Sequence, residues 1–100
     1  MIVIAGSVRV RPERRAEAVR VAIEMARATR AEAGCLHYRF YAELEEPDTF
    51  FIFEQWESAD ALARHFQSEH MRTFQSALPG LLAGAPDIRR YEVAAVSPLT

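Results

Sequence analysis

Cys35-Leu36-His37-Tyr38-Arg39-Phe40-Tyr41-Ala42-Glu43-Leu44, the short polar break Glu45-Glu46-Pro47-Asp48, and then Thr49-Phe50-Phe51-Ile52-Phe53-Glu54-Gln55-Trp56-Glu57 read together as a β-hairpin. Successive side chains of a strand point to opposite faces. Leu36, Tyr38, Phe40 and Ala42 therefore share one face, and Cys35, His37, Arg39 and Tyr41 the other. In the second strand Phe50, Ile52, Glu54 and Trp56 oppose Phe51, Phe53, Gln55 and Glu57. The intervening Glu-Glu-Pro-Asp carries turn chemistry, so the two strands are antiparallel neighbours.

Upstream, Ile2 to Val10 alternates as another strand, with Ile2, Ile4, Gly6, Val8 and Val10 on one side. Pro12 stops it and suits the first turn of a helix. That helix is expected to run to about Ala33, with Ala16, Val19, Ile23, Ala26 and Ala33 as its apolar stripe and Gly34 as its cap. Glu13, Glu17, Arg20, Glu24 and Arg27 read as its solvated, ion-paired face. Downstream, Ser58 is a good N-cap for a short helix with Leu62 and Phe66 turned inward. Ser68 starts a further helical stretch in which Met71, Phe74 and Leu78 share a face, ended by Pro79-Gly80. Ile88 to Val96 is the last strand, and Ser97 to Thr100 a tail. The order β-α-β-β-α-β is the α+β, ferredoxin-like arrangement, one domain across residues 1–100 with an antiparallel four-stranded sheet.

Two helices cover one face of such a sheet. The other face then holds either Tyr38 and Phe40 or Phe51 and Phe53, and both alternations are too aromatic to leave in water. An apolar patch of that kind marks an interface or a ligand site. Two sheets packed about a two-fold axis would bury it, so a homodimer is expected. A formal net charge of −2 argues against a nucleic-acid partner. All 12 basic residues are arginine. The single cysteine, Cys35, allows no internal disulfide and suits a reducing compartment. Met1 to Gly6 carries no basic leader, and no apolar run approaches the roughly 20 residues of a membrane span. The expected setting is cytoplasmic, with no membrane partner.

Four pieces, in order, resemble the antibiotic biosynthesis monooxygenase family. They are Gly34-Cys35-Leu36-His37-Tyr38, Glu54-Gln55-Trp56-Glu57-Ser58, Ala61-Leu62-Ala63-Arg64-His65-Phe66, and Ser68-Glu69-His70-Met71 with Phe74. The resemblance spans about residues 1–96 and implies a dimeric α/β barrel, in line with the argument from the sheet. It also implies an oxidation of small phenolic or quinol substrates by O₂ with no flavin, metal or haem. Other branches of the family degrade haem or isomerise a small phosphorylated sugar, so the fold alone does not determine the reaction. The haem-degrading branch uses an Asn on the first strand, a Trp on the second helix and a ligating His further along. Here Gly6 or Ser7, His65 and Gln75 stand in those places, which argues against haem chemistry.

The resemblance makes His65 the first catalytic candidate, a base for a phenolic proton. His70 is a second candidate; the alternative is a solvent-facing residue in a first helical turn. The spacing of the two is not the i, i+4 of a metal pair, and a zinc or iron site would also need acidic or thiolate company at the right spacing, so no metal is expected. Phe53, Phe66 and Phe74 are expected as walls for an aromatic substrate. Trp56 is either a stacking wall or an anchor between sheet and helix. His37 and Arg39 line the barrel interior and meet a substrate oxygen, or else form a polar rim with Tyr41. Glu54 is a base or, on the favoured reading, the partner of a core arginine. Cys35 reads as an inert buried thiol. The leading function is a cofactor-independent monooxygenase. An isomerase or lyase, favoured by Arg39 and His37 turned inward, and a non-catalytic dimeric binding module, favoured by a pocket filled with phenylalanines, are the alternatives.

Overall fold

A computed structural model describes residues 1–100. The hairpin forms where the alternation places it. β2 (Cys35–Ala42) and β3 (Thr49–Trp56) pair antiparallel, with Tyr38 opposite Glu54 and Phe40 opposite Ile52. β1 (Ile2–Arg9) lies on the far side of β3, and β4 (Asp87–Glu92) pairs with β1, giving the order β2-β3-β1-β4 with every pair antiparallel. A 3-10 turn (Pro12–Arg14) leads into α1 (Arg15–Arg30), and α2 (Ala59–Phe66) and α3 (Glu69–Leu81) follow β3. This is the ferredoxin-like α+β arrangement, with the second helical crossover broken in two.

The break has local causes. Ser58 Oγ accepts from Ala61 N (3.1 Å) and caps α2. Ser68 Oγ accepts from Met71 N (3.2 Å) and caps α3, and its hydroxyl donates to the His65 carbonyl (2.7 Å). One serine thus ends one helix and begins the next. On the exposed side of α1, Arg20 lies between Glu17 (3.8 Å) and Glu24 (3.2 Å), and Arg14 also pairs with Glu17. The expected ion-paired face exists, without Glu13 or Arg27.

Ile2, Ile4, Val8, Tyr38, Phe40, Phe50, Ile52, Glu54 and Trp56 face the helices. Ile2, Met25, Tyr38, Ile52, Trp56 and Leu62 build the main core, and Val10, Ala18, Phe50 and Leu81 a smaller one. The opposite face carries Val3, Ala5, Phe51, Phe53, His37, Arg39 and Tyr41 and has no helix over it. Phe51, Tyr41 and Tyr91 are each more than 40% exposed (41%, 46% and 47%). No residue of β4 is buried.

Four expectations need correction. A bulge between Cys35 and His37 breaks the alternation of β2, so Cys35 packs against the core and Leu36 points to solvent. The buried stripe of α1 is Ala18, Ala22, Met25, Ala26 and Thr29; Ile23 lies outside it. Small alanines let the helix approach the sheet, and size alone did not identify the contact face. α3 continues through Pro79 and Gly80 to Leu81, because a proline in the final turn forfeits only one helical hydrogen bond. β4 stops at Glu92, opposite Ile2, with one further bond from Val93 N–H to the Met1 carbonyl (2.9 Å), so it is shorter than the expected run to Val96. Gly6 is needed for this pairing. A Cβ there would lie 2.1 Å from the Asp87 carbonyl oxygen and 2.4 Å from Ile88 Cα, so β4 can approach only a glycine.

Candidate functional site

A cavity of about 350 Å³ lies between the helix-facing side of the sheet and the α2–α3 pair, with β4 at its mouth. Phe40, Leu62, Phe66, Met71, Phe74 and Ile88 supply apolar wall. Tyr38, Glu54, His65 and Gln75 are the polar groups within it, and Arg89 and Arg90 stand at its β4 edge. The size is at the small end of the range for ligand pockets.

Leu62 points inward from α2 as expected, and His65 rather than Phe66 joins it. The His65 side chain is 2% exposed, whereas Phe66 lies half open at the rim. Its ring lies 4.7 Å from the Trp56 ring and 5.6 Å from Tyr38. Burial lowers its pKa, and the hydrogen bond to Glu32 only partly opposes this, so the imidazole is held towards its neutral form. Nδ1 lies 2.7 Å from Glu32 Oε2. An ionised carboxylate only accepts, so Nδ1 carries the proton and Nε2 keeps its lone pair. Nε2 has no protein partner, and Thr29 Oγ1 is the only fully enclosed side-chain polar atom without one. Nε2 therefore meets open space, and the open space against this ring is the cavity.

Glu32 sits in the turn between α1 and β2. Its Oε2 also lies 2.7 Å from His70 Nε2, so one carboxylate oxygen bridges two imidazoles. The helix break brings the two histidine rings to 5.9 Å. His70 stands behind Glu32, 28% exposed, and lines an outer groove between α1 and α3 rather than the cavity. The acidic company whose absence argued against a metal is thus present: Glu32, His65 and His70 offer ligand atoms within 4.8 Å of one another. Both oxygen–nitrogen separations are hydrogen-bond lengths. At these lengths a proton lies between each pair of atoms.

Glu54 projects from β3 into the same cavity and is 8% exposed. Its Oε1 accepts from Trp56 Nε1–H (2.9 Å). It has no arginine partner, which corrects the favoured expectation. Burial pushes its pKa up to about 7, against the pull of the indole hydrogen bond. Trp56 is fully enclosed and does not line the cavity. It is the anchor, bonding Glu54 with its N–H and packing against His65 with its ring. Phe66 and Phe74 line the cavity as expected. Phe53, His37 and Arg39 do not: they lie on the other face of the sheet, where the His37 ring meets Phe53 edge-on at 5.5 Å and His37 Nε2 lies 3.1 Å from the Tyr41 hydroxyl. Burial raises the Cys35 thiol, as an inert cysteine requires. Glu32 was missed because it has no motif of its own; only the tertiary approach of its turn to α2 and α3 reveals it.

The family model for antibiotic biosynthesis monooxygenases matches residues 1–77. A protein of Synechocystis sp. is 34% identical over 93 residues, which are 93% of this chain; the chain spans only 63% of that protein's length. YcnE of Bacillus subtilis, named a "putative monooxygenase", is 30% identical over 93% of this chain and 98% of its own. The crystal structure of a "putative antibiotic biosynthesis monooxygenase" from Deinococcus radiodurans superposes with a TM-score of 0.91 at 25% identity, covering 100% of this chain and 99% of that one. No helix here is long and apolar enough to cross a membrane.

Proposed function

Because this chain belongs to the antibiotic biosynthesis monooxygenase family, we propose that it oxidises a small phenolic or quinol-like ring with O₂, without a cofactor, in the cavity beside α2. The observation that carries this reading is the lone pair of His65 Nε2 turned into an apolar cavity, with Glu32 behind the same ring. Nε2 takes the hydroxyl proton. The imidazolium that results is steadied by the Glu32 carboxylate, and the electron-rich phenolate is left to react with O₂. The apolar walls keep water from the phenolate and from the reactive oxygen species that follows. The cavity is open rather than filled, and Phe53 is not in it, which weighs against a module without ligand chemistry. His37 and Arg39 lie outside it, which removes the feature that favoured an isomerase or lyase. A single free cysteine fits the reducing, cytoplasmic setting that belongs to this reading.

With purified chain and hydroquinone, O₂ uptake is expected without added metal or flavin. His65→Ala should reduce the rate by about 10²–10⁴-fold. Uptake by the variant equal to that of the wild type would remove His65 from this role.

The same reading includes a homodimer that covers the open sheet face. Phe51, Tyr41 and Tyr91 are half exposed there, and β4 has no buried residue, as expected of a surface awaiting a partner. Sedimentation equilibrium should give twice the chain mass, and Phe51→Asp should shift it towards the monomer. A wild-type monomer at high concentration would refute the dimer and leave the cavity chemistry to be judged alone.

A further inference from the structure

The cavity holds a second group able to exchange a proton, and the mechanism above does not use it. Glu54 lies on a central strand, on the floor of the cavity. Its Oε1 is committed to Trp56 Nε1. Its Oε2 has no protein partner and is not an enclosed atom, so it too opens on the cavity. The groups around it are Cys35 and Tyr38 from β2, Trp56 from its own strand, His65 from α2 and Arg90 from β4, with Glu32 beyond; no ion pair joins it to any arginine. A buried carboxyl group without a cation is costly to keep, and a purely structural role would be filled better by an apolar residue of similar size. The two proton acceptors are held on one support. Trp56 fixes Glu54 through its N–H and His65 through its ring face, so their relative positions are set together.

We propose that Glu54 is a second catalytic proton acceptor, and that the substrate is accordingly a diphenol, with one ring hydroxyl for His65 and one for Glu54. This rests on the oxidation reading given above. The step balances for a hydroquinone. One oxygen atom of O₂ enters a ring C–H bond and becomes a hydroxyl. The other leaves as water, carrying the two protons that His65 and Glu54 took from the ring hydroxyls. The ring gives up four electrons to O₂ and becomes a hydroxylated quinone.

Trp56 is the only tryptophan in the chain, and it touches both bases, so its fluorescence reports occupancy without turnover. Wild type is titrated with hydroquinone and with 4-methoxyphenol, which lacks one of the two hydroxyls. Hydroquinone should bind about tenfold or more tightly, because the methyl ether leaves one buried acceptor unpartnered. Glu54→Gln should erase that preference. In turnover it should lower the hydroquinone rate by about 10²–10⁴-fold and remove the pH dependence of the rate near neutrality. Equal affinity of the wild type for the two ligands, or a Glu54→Gln rate equal to that of the wild type, overturns the proposal. Diphenol preference with no O₂ uptake by the wild type would instead sink the oxidation reading while leaving Glu54 as the group that recognises the second hydroxyl.

Discussion

Glu32→Gln should leave the chain folded and lower its turnover of a quinol by roughly three orders of magnitude, with little change in KM. On the proposed reading Glu32 touches no substrate and acts through His65. Its carboxylate oxygen accepts from Nδ1, so the proton sits there and the Nε2 lone pair faces the cavity. A glutamine has two ways to occupy the site. With its NH₂ towards His65 it donates to Nδ1, drives the proton to Nε2 and turns the base into a donor. With its oxygen there it still accepts, but the charge that steadies the imidazolium is gone. A wrong tautomer behind a catalytic histidine is among the most damaging isosteric changes known, on the order of 10⁴ in kcat. Nitrogen-detected NMR of the histidine ring checks the cause directly: the wild type should show the Nδ1–H form of His65, and the variant the Nε2–H form or a mixture. Glu32→Asp, which keeps the charge on a shorter arm, should recover part of the rate. A variant with wild-type kcat and an unchanged tautomer would show that the carboxylate is only a brace.

The same residue marks the limit of what local pattern reveals. The hairpin was legible because alternation and turn chemistry are local. The bulge at Leu36 was not, because one extra residue in β2 is set by how the Gly34 turn enters the sheet, and Gly34 itself needs its positive φ of 86° there. The wrong stripe on α1 has a similar cause: alanines on several faces leave periodicity without contrast, and the sheet chooses among them. His65 was reached through the ordered motifs and then placed by the structure. His70 was reached in the same way, yet it stands one shell back, behind a carboxylate 38 residues earlier in sequence. Phe53, His37 and Arg39 were plausible only while both faces of the sheet looked alike. Once Tyr38, Phe40, Ile52 and Trp56 take the helix side, strict alternation sends those three to the other.

Trp56 is where stability and chemistry meet, and Trp56→Ala should cost about 3–5 kcal/mol, the range for emptying a fully buried aromatic site. It is 0% exposed, and the space it leaves would open beneath both His65 and Glu54. Trp56→Phe is the more telling variant, since it keeps much of the packing and deletes only the N–H that Glu54 accepts. The Glu54 carboxyl titrates at about 7 in the folded chain against 4.5 for an unperturbed one. Between those values the folded chain holds a proton that the unfolded chain has released. Stability from this group is therefore fully present below the lower value and is lost as pH rises through the upper one, by an amount on the order of 3 kcal/mol. The indole hydrogen bond favours the ionised form and so limits that loss. Removing it in Trp56→Phe should push the carboxyl higher still and make stability fall further between pH 5 and pH 8, whereas Glu54→Gln should flatten this part of the profile. Urea unfolding across that range tests both. Parallel pH profiles for wild type, Trp56→Phe and Glu54→Gln would mean that Glu54 ionises freely in the folded chain, and that the cavity does not shield it from water.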